Sequence, residues 1–154
     1  LGDASFSQTL PKVDYVVTRY VSDREHAVWR EYELRLAFGP LLRMLFNRFS
    51  ELAGRALTGR LCERLSIWAG EGGWNVAITS NGIVNRQYFE TFESAVGFYV
   101  DLIRCFQSEA SPALGPRMID GISRDVLLKL DPHRRELLTR YIYSQPGVSV
   151  TSVV

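Results

Sequence analysis

Apolar residues recur along this chain in two rhythms. Between residues 41 and 58, Leu42, Leu45, Phe46, Phe49, Leu52, Ala53, Ala56 and Leu57 return at three- and four-residue spacing, the period of one helix face. Pro40 suits a first helical turn, so the spacing predicts an amphipathic helix over 41–58 that stops near Gly59. A second stripe, Ala95, Phe98, Tyr99, Leu102, Ile103 and Phe106, predicts a helix that begins at Thr91 and runs to about residue 107. Thr91 supplies the capping hydroxyl there, and Glu93 lies in the first turn, where the helix dipole favours an acid.

Elsewhere the rhythm is two. "VDYVVTRYV" (13–21) is rich in β-branched and aromatic residues, and "WREYELRLAF" (29–38) sets Tyr32, Leu34, Leu36 and Phe38 against Glu31, Glu33 and Arg35. These segments predict a first hairpin closed by "SDREHA", with a helix as the competing reading for 29–38 because its residues are good helix formers. Glycines flank a short third segment, predicted as a strand over about 61–69, and "GEGG" (70–73) then reads as a tight turn between strands.

"WNVAITSNGIVNRQYF" (74–89) predicts a second hairpin. A two-residue Asn81-Gly82 turn would mix apolar and polar side chains on both faces. A three-residue Ser80-Asn81-Gly82 loop instead pairs Ile78 with Val84, Val76 with Arg86 and Trp74 with Tyr88. That register places Arg86 alone among apolar neighbours.

Two prolines and two glycines make "SPALGPRMIDGIS" (111–123) a predicted loop. "SRDVLLKL" reads as a short helix, Asp131-Pro132 opens another that ends before Pro146, and "VSVTSVV" alternates like a strand. The resulting expectation is an α+β fold over residues 1–154. It comprises an antiparallel sheet of about five strands in two hairpins, packed by amphipathic helices, a helical C-terminal third, and loosely attached ends at 1–12 and 145–154.

Composition narrows the function classes. The chain has 154 residues, 46% of them hydrophobic and 23% charged, with a net charge of +1, enough for one core and without a global field toward nucleic acid or anionic membranes. Charge is uneven locally. Residues 39–65 carry five arginines against two glutamates, while residues 66–110 carry five acids against Arg86 and Arg104. No run approaches the roughly 18 apolar residues of a membrane span, and no signal-peptide pattern occurs. Cys62 and Cys105 lie in apolar segments and read as free buried thiols. An intracellular, cytoplasmic protein is expected, with no membrane partner.

Catalytic signatures are absent: no G-x-S-x-G elbow, no phosphate-binding G-x-x-x-x-G-K-S/T, no H-E-x-x-H and no dinucleotide G-x-G-x-x-G. His26 and His133 stand apart from the cysteines and from each other, so neither a metal site nor a Cys-His nucleophile is expected. Glu31 and Glu33 would share one face of a strand, either as an acid and base pair or as a solvated edge. No catalytic residue and no cofactor are assigned.

Two segments carry local likenesses. "SIWAGEGGW" (66–74) resembles the W-I-x-x-x-G-G-W segment near the end of the B-cell-lymphoma-type apoptosis regulators, over nine residues. In that all-helical family little more than a terminal helix follows, whereas 80 residues follow here, beginning with a strand pattern. The predicted order helix (41–58), three strands (61–89), helix (92–107) is similar to double-stranded-RNA-binding domains. Those need a lysine-rich start to the second helix to hold phosphates, and this chain reads "TFESA" at that position.

The functional expectation is a non-catalytic protein-interaction or regulatory domain that self-associates as a homo-oligomer, with Trp74, Arg86 and Tyr88 as its partner-binding surface. RNA binding through the arginine-rich 41–64 segment, by Arg55, Arg60 and Arg64, is the alternative. An enzyme with a site dispersed over several segments is the second alternative. The tail is expected to pair in cis with its own sheet ahead of pairing with another copy or entering a peptide groove.

Overall fold

The helical period prevails over most of the chain. A computed structural model describes the backbone of residues 11–151 and the side chains of residues 28–151. Its elements are α1 (Pro11–Ala53), α2 (Arg55–Glu71), β1 (Val76–Thr79), β2 (Gly82–Asn85), α3 (Phe92–Leu114), α4 (Pro116–Lys129) and α5 (Pro132–Tyr141). The fold is therefore mostly helical, 73%, with one two-stranded antiparallel sheet among the described residues, and this replaces the expected five-stranded, two-hairpin α+β architecture.

The expected first hairpin is part of α1. Leu34, Ala37, Phe38, Leu41, Leu42, Leu45, Phe46 and Phe49 are all buried, in alternating steps of three and one that only a helix points to a single side. Tyr32 and Leu36, which a strand would turn inward with Leu34 and Phe38, are exposed instead. Pro40 lies inside the helix rather than at its start. It removes one backbone bond on a side of α1 that is not the core stripe, where water can satisfy the freed carbonyl. The predicted helix 41–58 is divided at Gly54, whose φ of +92° separates α1 from α2.

The expected strand 61–69 is also helical. Leu61, Cys62, Leu65 and Ala69 form the buried stripe of α2, and "GEGG" is its ending rather than an inter-strand turn. The amide of Trp74 donates to the carbonyl of Ala69 at 3.0 Å and that of Gly73 donates to Gly70 at 3.1 Å, the paired bonds of a Schellman motif. Gly73 takes the left-handed position at φ +73°. Gly72 is needed for space, since a Cβ there would lie 2.6 Å from the Trp74 indole nitrogen.

The second hairpin exists, in a register one residue from the expected one: Val76 pairs with Asn85, Ala77 with Val84, Ile78 with Ile83 and Thr79 with Gly82. Ser80 and Asn81 alone make the turn, and Gly82, at φ +116°, belongs to the strand. Its hydrogen-only side chain lets the backbone pass Arg43, whose Cβ would lie 3.3 Å from an added methyl. The shift leaves Ile83 half-buried and turns Val84 to solvent, as a one-residue slip must.

Around α3 the core closes. Its predicted stripe from Ala95 to Phe106 is buried throughout. The Phe98 ring meets Trp68, Trp74, Phe89 and Tyr99 with centroids 4.7 to 5.9 Å away. Thr91 caps the helix as expected, accepting from the Ser94 amide at 3.0 Å, and Asp131 caps α5 through the Arg134 amide at 3.2 Å. The predicted loop 111–123 is helical apart from a break at Gly115, φ +88°, after which Pro116 opens α4.

Residues 148–151 form no strand; the backbone of Ser149 is held by the Gln107 side chain and its hydroxyl by Asp120. Residues 152–154, the remainder of the predicted tail strand, lie outside the described residues.

Candidate functional site

Beyond β2 the chain continues as a strap over residues 86–91, bending at Glu90 and Thr91 before Phe92 begins α3. The Arg86 amide still bonds the Asn75 carbonyl at 3.0 Å, so the ladder runs one pair past the strand proper. Extended backbone turns successive side chains to opposite sides, and Arg86, Tyr88 and Glu90 are accordingly exposed while Asn85, Gln87 and Phe89 are half-buried.

Arg35 fixes the strap against α1. Its Nη1 and Nη2 donate to the carbonyls of Asn85 and Gln87, each at 2.8 Å, and its Nε donates to the Glu31 carboxylate at 3.1 Å. The guanidinium carbon also lies 5.7 Å from the Phe89 ring centroid. The fork geometry of guanidinium makes two carbonyls and one carboxylate reachable at once.

Side-chain amides complete the arrangement. Gln87 donates to the Tyr88 carbonyl at 2.9 Å and accepts from the Asn75 amide at 2.7 Å. Asn85 donates to the Tyr99 hydroxyl at 3.0 Å, and burial holds that hydroxyl protonated by pushing its pKa well above the ordinary tyrosine value.

Between α1 and the strap runs a cleft of about 530 Å³, with Val28, Glu31, Arg35, Arg86, Tyr88 and Glu90 among its walls. Exposed apolar surface continues from it along α1. Val28 is 69% exposed, Trp29 56%, Tyr32 46% and Tyr88 78%. Val28 and Tyr32 are neighbours one helical turn apart, and the Trp29 and Tyr32 rings sit 5.4 Å apart. Arg30 stacks 4.1 Å above the ring of Phe92, itself a wall of this cleft, and anchors α1 to the start of α3.

The structure divides the three residues expected to bind a partner. Arg86 and Tyr88 share the outward side of the strap, whereas Trp74 is half-buried with its ring 4.7 Å from Phe98 and 6.1 Å from Phe89. The one-residue register shift accounts for this: Arg86 pairs across from Asn75, so it follows the outward side and not the side of Trp74. Arg55, Arg60 and Arg64 do not form one ridge. Arg60 and Arg64, four residues apart, share a cleft with Glu109, to which Arg64 pairs at 3.4 Å, while Arg55 borders a different cleft near Ser80 and Asn81.

Glu31 and Glu33 part company once 29–38 is helical: Glu31 pairs with Arg35, and Glu33 meets His133 of α5 at 2.9 Å. Cys62 is buried and Cys105 half-buried, both unpaired; burial pushes the Cys62 thiol up to about 11 and raises Cys105 as well. Neither is suited to nucleophilic work at neutral pH. His26 has no described side chain.

Sequence reasoning missed Val28, Trp29, Tyr32 and Arg35 as one surface because it gave the last three to a strand and left Val28 between that strand and the turn before it. The available signal was that Val28, Tyr32 and Leu36 recur at four-residue spacing beside, and not within, the Leu34–Leu45 stripe. Comparison of the chain with protein-family models, curated proteins and solved structures finds no match, and among the described residues no helix is long and apolar enough to cross a membrane.

Proposed function

We propose that this chain is a non-catalytic protein-interaction domain whose contact surface is the outer face of α1 at Val28, Trp29 and Tyr32, joined across the cleft to Tyr88 and Arg86 of the strap. The observation carrying this reading is the exposure of four large apolar or aromatic side chains, from two segments distant in sequence, beside an arginine without an ion-pair partner among the described residues. Folding of this chain gains nothing from leaving them in water. Aromatic residues and arginine are the types enriched at the centres of protein interfaces, where buried rings contribute most of the affinity. Arg35 holds the strap beforehand, which lowers the ordering cost of binding. In this mechanism the partner buries Trp29, Tyr32 and Tyr88 while Arg86 reaches an acidic group on it.

Affinity enrichment from the native host, run in parallel with intact chain, Trp29→Glu, Tyr88→Glu and Arg60→Glu/Arg64→Glu, tests the reading. A bound protein, a further copy of the chain included, should fall about tenfold with either of the first two variants and persist with the third. Loss confined to the α2 double variant, with retention that collapses in added salt, would instead identify nucleic acid as the ligand and refute the proposal.

A further inference from the structure

The strap carries a charge pattern that selects its own partner. Arg86, Tyr88 and Glu90, spaced two residues apart, are all exposed and line the same cleft, with Tyr88 midway between a cation and an anion. Neither Arg86 nor Glu90 has an ion-pair partner among the described residues, a state Arg86 shares with Arg43, Arg55 and Arg60; Arg86 and Glu90 differ in standing two residues to either side of an exposed tyrosine. We propose that the surface binds a second copy of this chain, strap against strap and antiparallel, about a two-fold axis passing at Tyr88.

The geometry follows from symmetry. A two-fold axis at the middle residue of a three-residue pattern brings the first position of one copy against the third of the other, twice. Arg86 of each copy then faces Glu90 of the other, and the two Tyr88 rings, 78% exposed in the single chain, meet at the centre. Arg86 to Glu90 spans four extended residues, about 13 Å, within reach of both side chains from a shared centre. Any parallel arrangement would set Arg86 against Arg86 and Glu90 against Glu90.

Side chains make this contact; the backbone does not extend the sheet. The carbonyls of Asn85 and Gln87 are already occupied by Arg35, and that of Tyr88 by the Gln87 amide. Val28, across the cleft and 69% exposed, widens the apolar centre around the two rings. Charge-assisted arginine–carboxylate pairs at the rim then fix the register, and apolar burial supplies most of the attraction.

This inference rests on the reading of the surface as an interface, and charge exchange separates the two. Self-association of the intact chain is followed by light scattering against concentration, with Arg86→Glu and Glu90→Arg measured alone and mixed in equal amounts. Each variant alone should weaken self-association about tenfold or more. Their mixture should restore it: the acid introduced by the first substitution faces the base introduced by the second, and the native Glu90 of the first variant faces the native Arg86 of the other. A full-length Tyr88→Cys chain should form a disulfide-linked dimer with itself on mild oxidation, and Val84→Cys, exposed but away from the axis, should not.

An intact chain that stays monomeric at every concentration, or a mixture no tighter than its components, overturns the two-fold pairing. If Trp29→Glu and Tyr88→Glu still release some other protein in that event, the interface reading survives alone; if they release nothing, both fall.

Discussion

Arg35 and Asn85 are fifty residues apart, and the guanidinium of the first donates to the carbonyl of the second at 2.8 Å. The same fork takes the Gln87 carbonyl at an equal distance, so one side chain of α1 decides where the strap runs, which way Tyr88 faces, and how wide the cleft is. Local hairpin energetics do not specify this placement. It belongs to the packing of α1 on β2.

Removing that side chain should therefore loosen the strap more than its partial exposure implies. Arg35→Ala leaves two part-buried carbonyls without their donor and Glu31 without its cation, a cost of about 2 to 3 kcal/mol. Arg35→Lys keeps the charge but cannot serve both carbonyls at once, and should recover less than half of the loss. Urea unfolding gives the stabilities, and amide exchange at Arg86 reports whether the strap has loosened. A change below about 0.5 kcal/mol, the range of ordinary surface substitutions, would mean that the hairpin holds itself.

Legibility in the sequence tracked how local each determinant is. Thr91 and Asp131 were readable as caps because a cap and the amide that donates to it lie three residues apart. The stripe from Ala95 to Phe106 was readable because all of its buried positions agree on one period. In 29–38, by contrast, Leu34 and Phe38 satisfy a period of two and a period near four equally, and Pro40 then suggested a helix start where the helix simply continues. The Asn81-Gly82 pair correctly marked a turn and a glycine at positive φ, yet Ser80-Asn81 is the loop, and that single residue moved Trp74 and Arg86 to opposite sides. No reading of side-chain types foresees Arg35, because its partners are backbone carbonyls, which every position offers.

Three glycines should respond differently to the same methyl group. Gly73→Ala forces an L side chain into φ +73° and should cost about 1 to 2 kcal/mol. Gly72→Ala meets the Trp74 indole at 2.6 Å, so it should cost as much or more and also shift tryptophan fluorescence as the ring leaves Phe98. Gly59 sits within α2 with nothing within 4 Å of an added Cβ; Gly59→Ala should stabilise by about 0.5 to 1 kcal/mol. Thermal unfolding of the three variants checks the order. Equal effects would refute the Schellman assignment.

Alkaline pH should destabilise the fold, with the two cysteine thiols, Cys62 and Cys105, responding before the tyrosines. Burial raises the Cys62 thiol from an ordinary 9.0 to about 11, and Tyr99 and Tyr143 are shifted upward for the same reason. Between those values the unfolded chain has lost the proton and the folded chain retains it, so stability falls with rising pH. The contribution of the neutral thiol is fully present below pH 9 and is lost as pH rises through 11. Cys62→Ala should flatten the stability profile between pH 9 and 11. Alkylation at neutral pH should be slow at this thiol, and a rate matching that of free cysteine would contradict the burial.

The end of the chain offers a test in which folding and tail docking separate. Gln107, buried on α3, grips both backbone groups of Ser149: its amide donates to the carbonyl at 2.6 Å and its carbonyl accepts from the N–H at 3.2 Å. Val148 is buried by the same docking, while Ser149 and Thr151 remain exposed. In Gln107→Ala the freed groups of Ser149 can turn to water, so the loss in global stability should be about 1 kcal/mol. The local effect should be larger. Ser149 should lose amide-exchange protection, and a protease should remove the tail several times faster while leaving α1 to α5 intact. Gln107→Glu retains an acceptor for the Ser149 N–H but sets a carboxylate against its carbonyl, and should fall between the two. If the tail of Gln107→Ala is cut no faster than that of the intact chain, Val148 packing and the bonds of Ser149 and Thr151 to Asp120 hold it, and the side-chain amide contributes little.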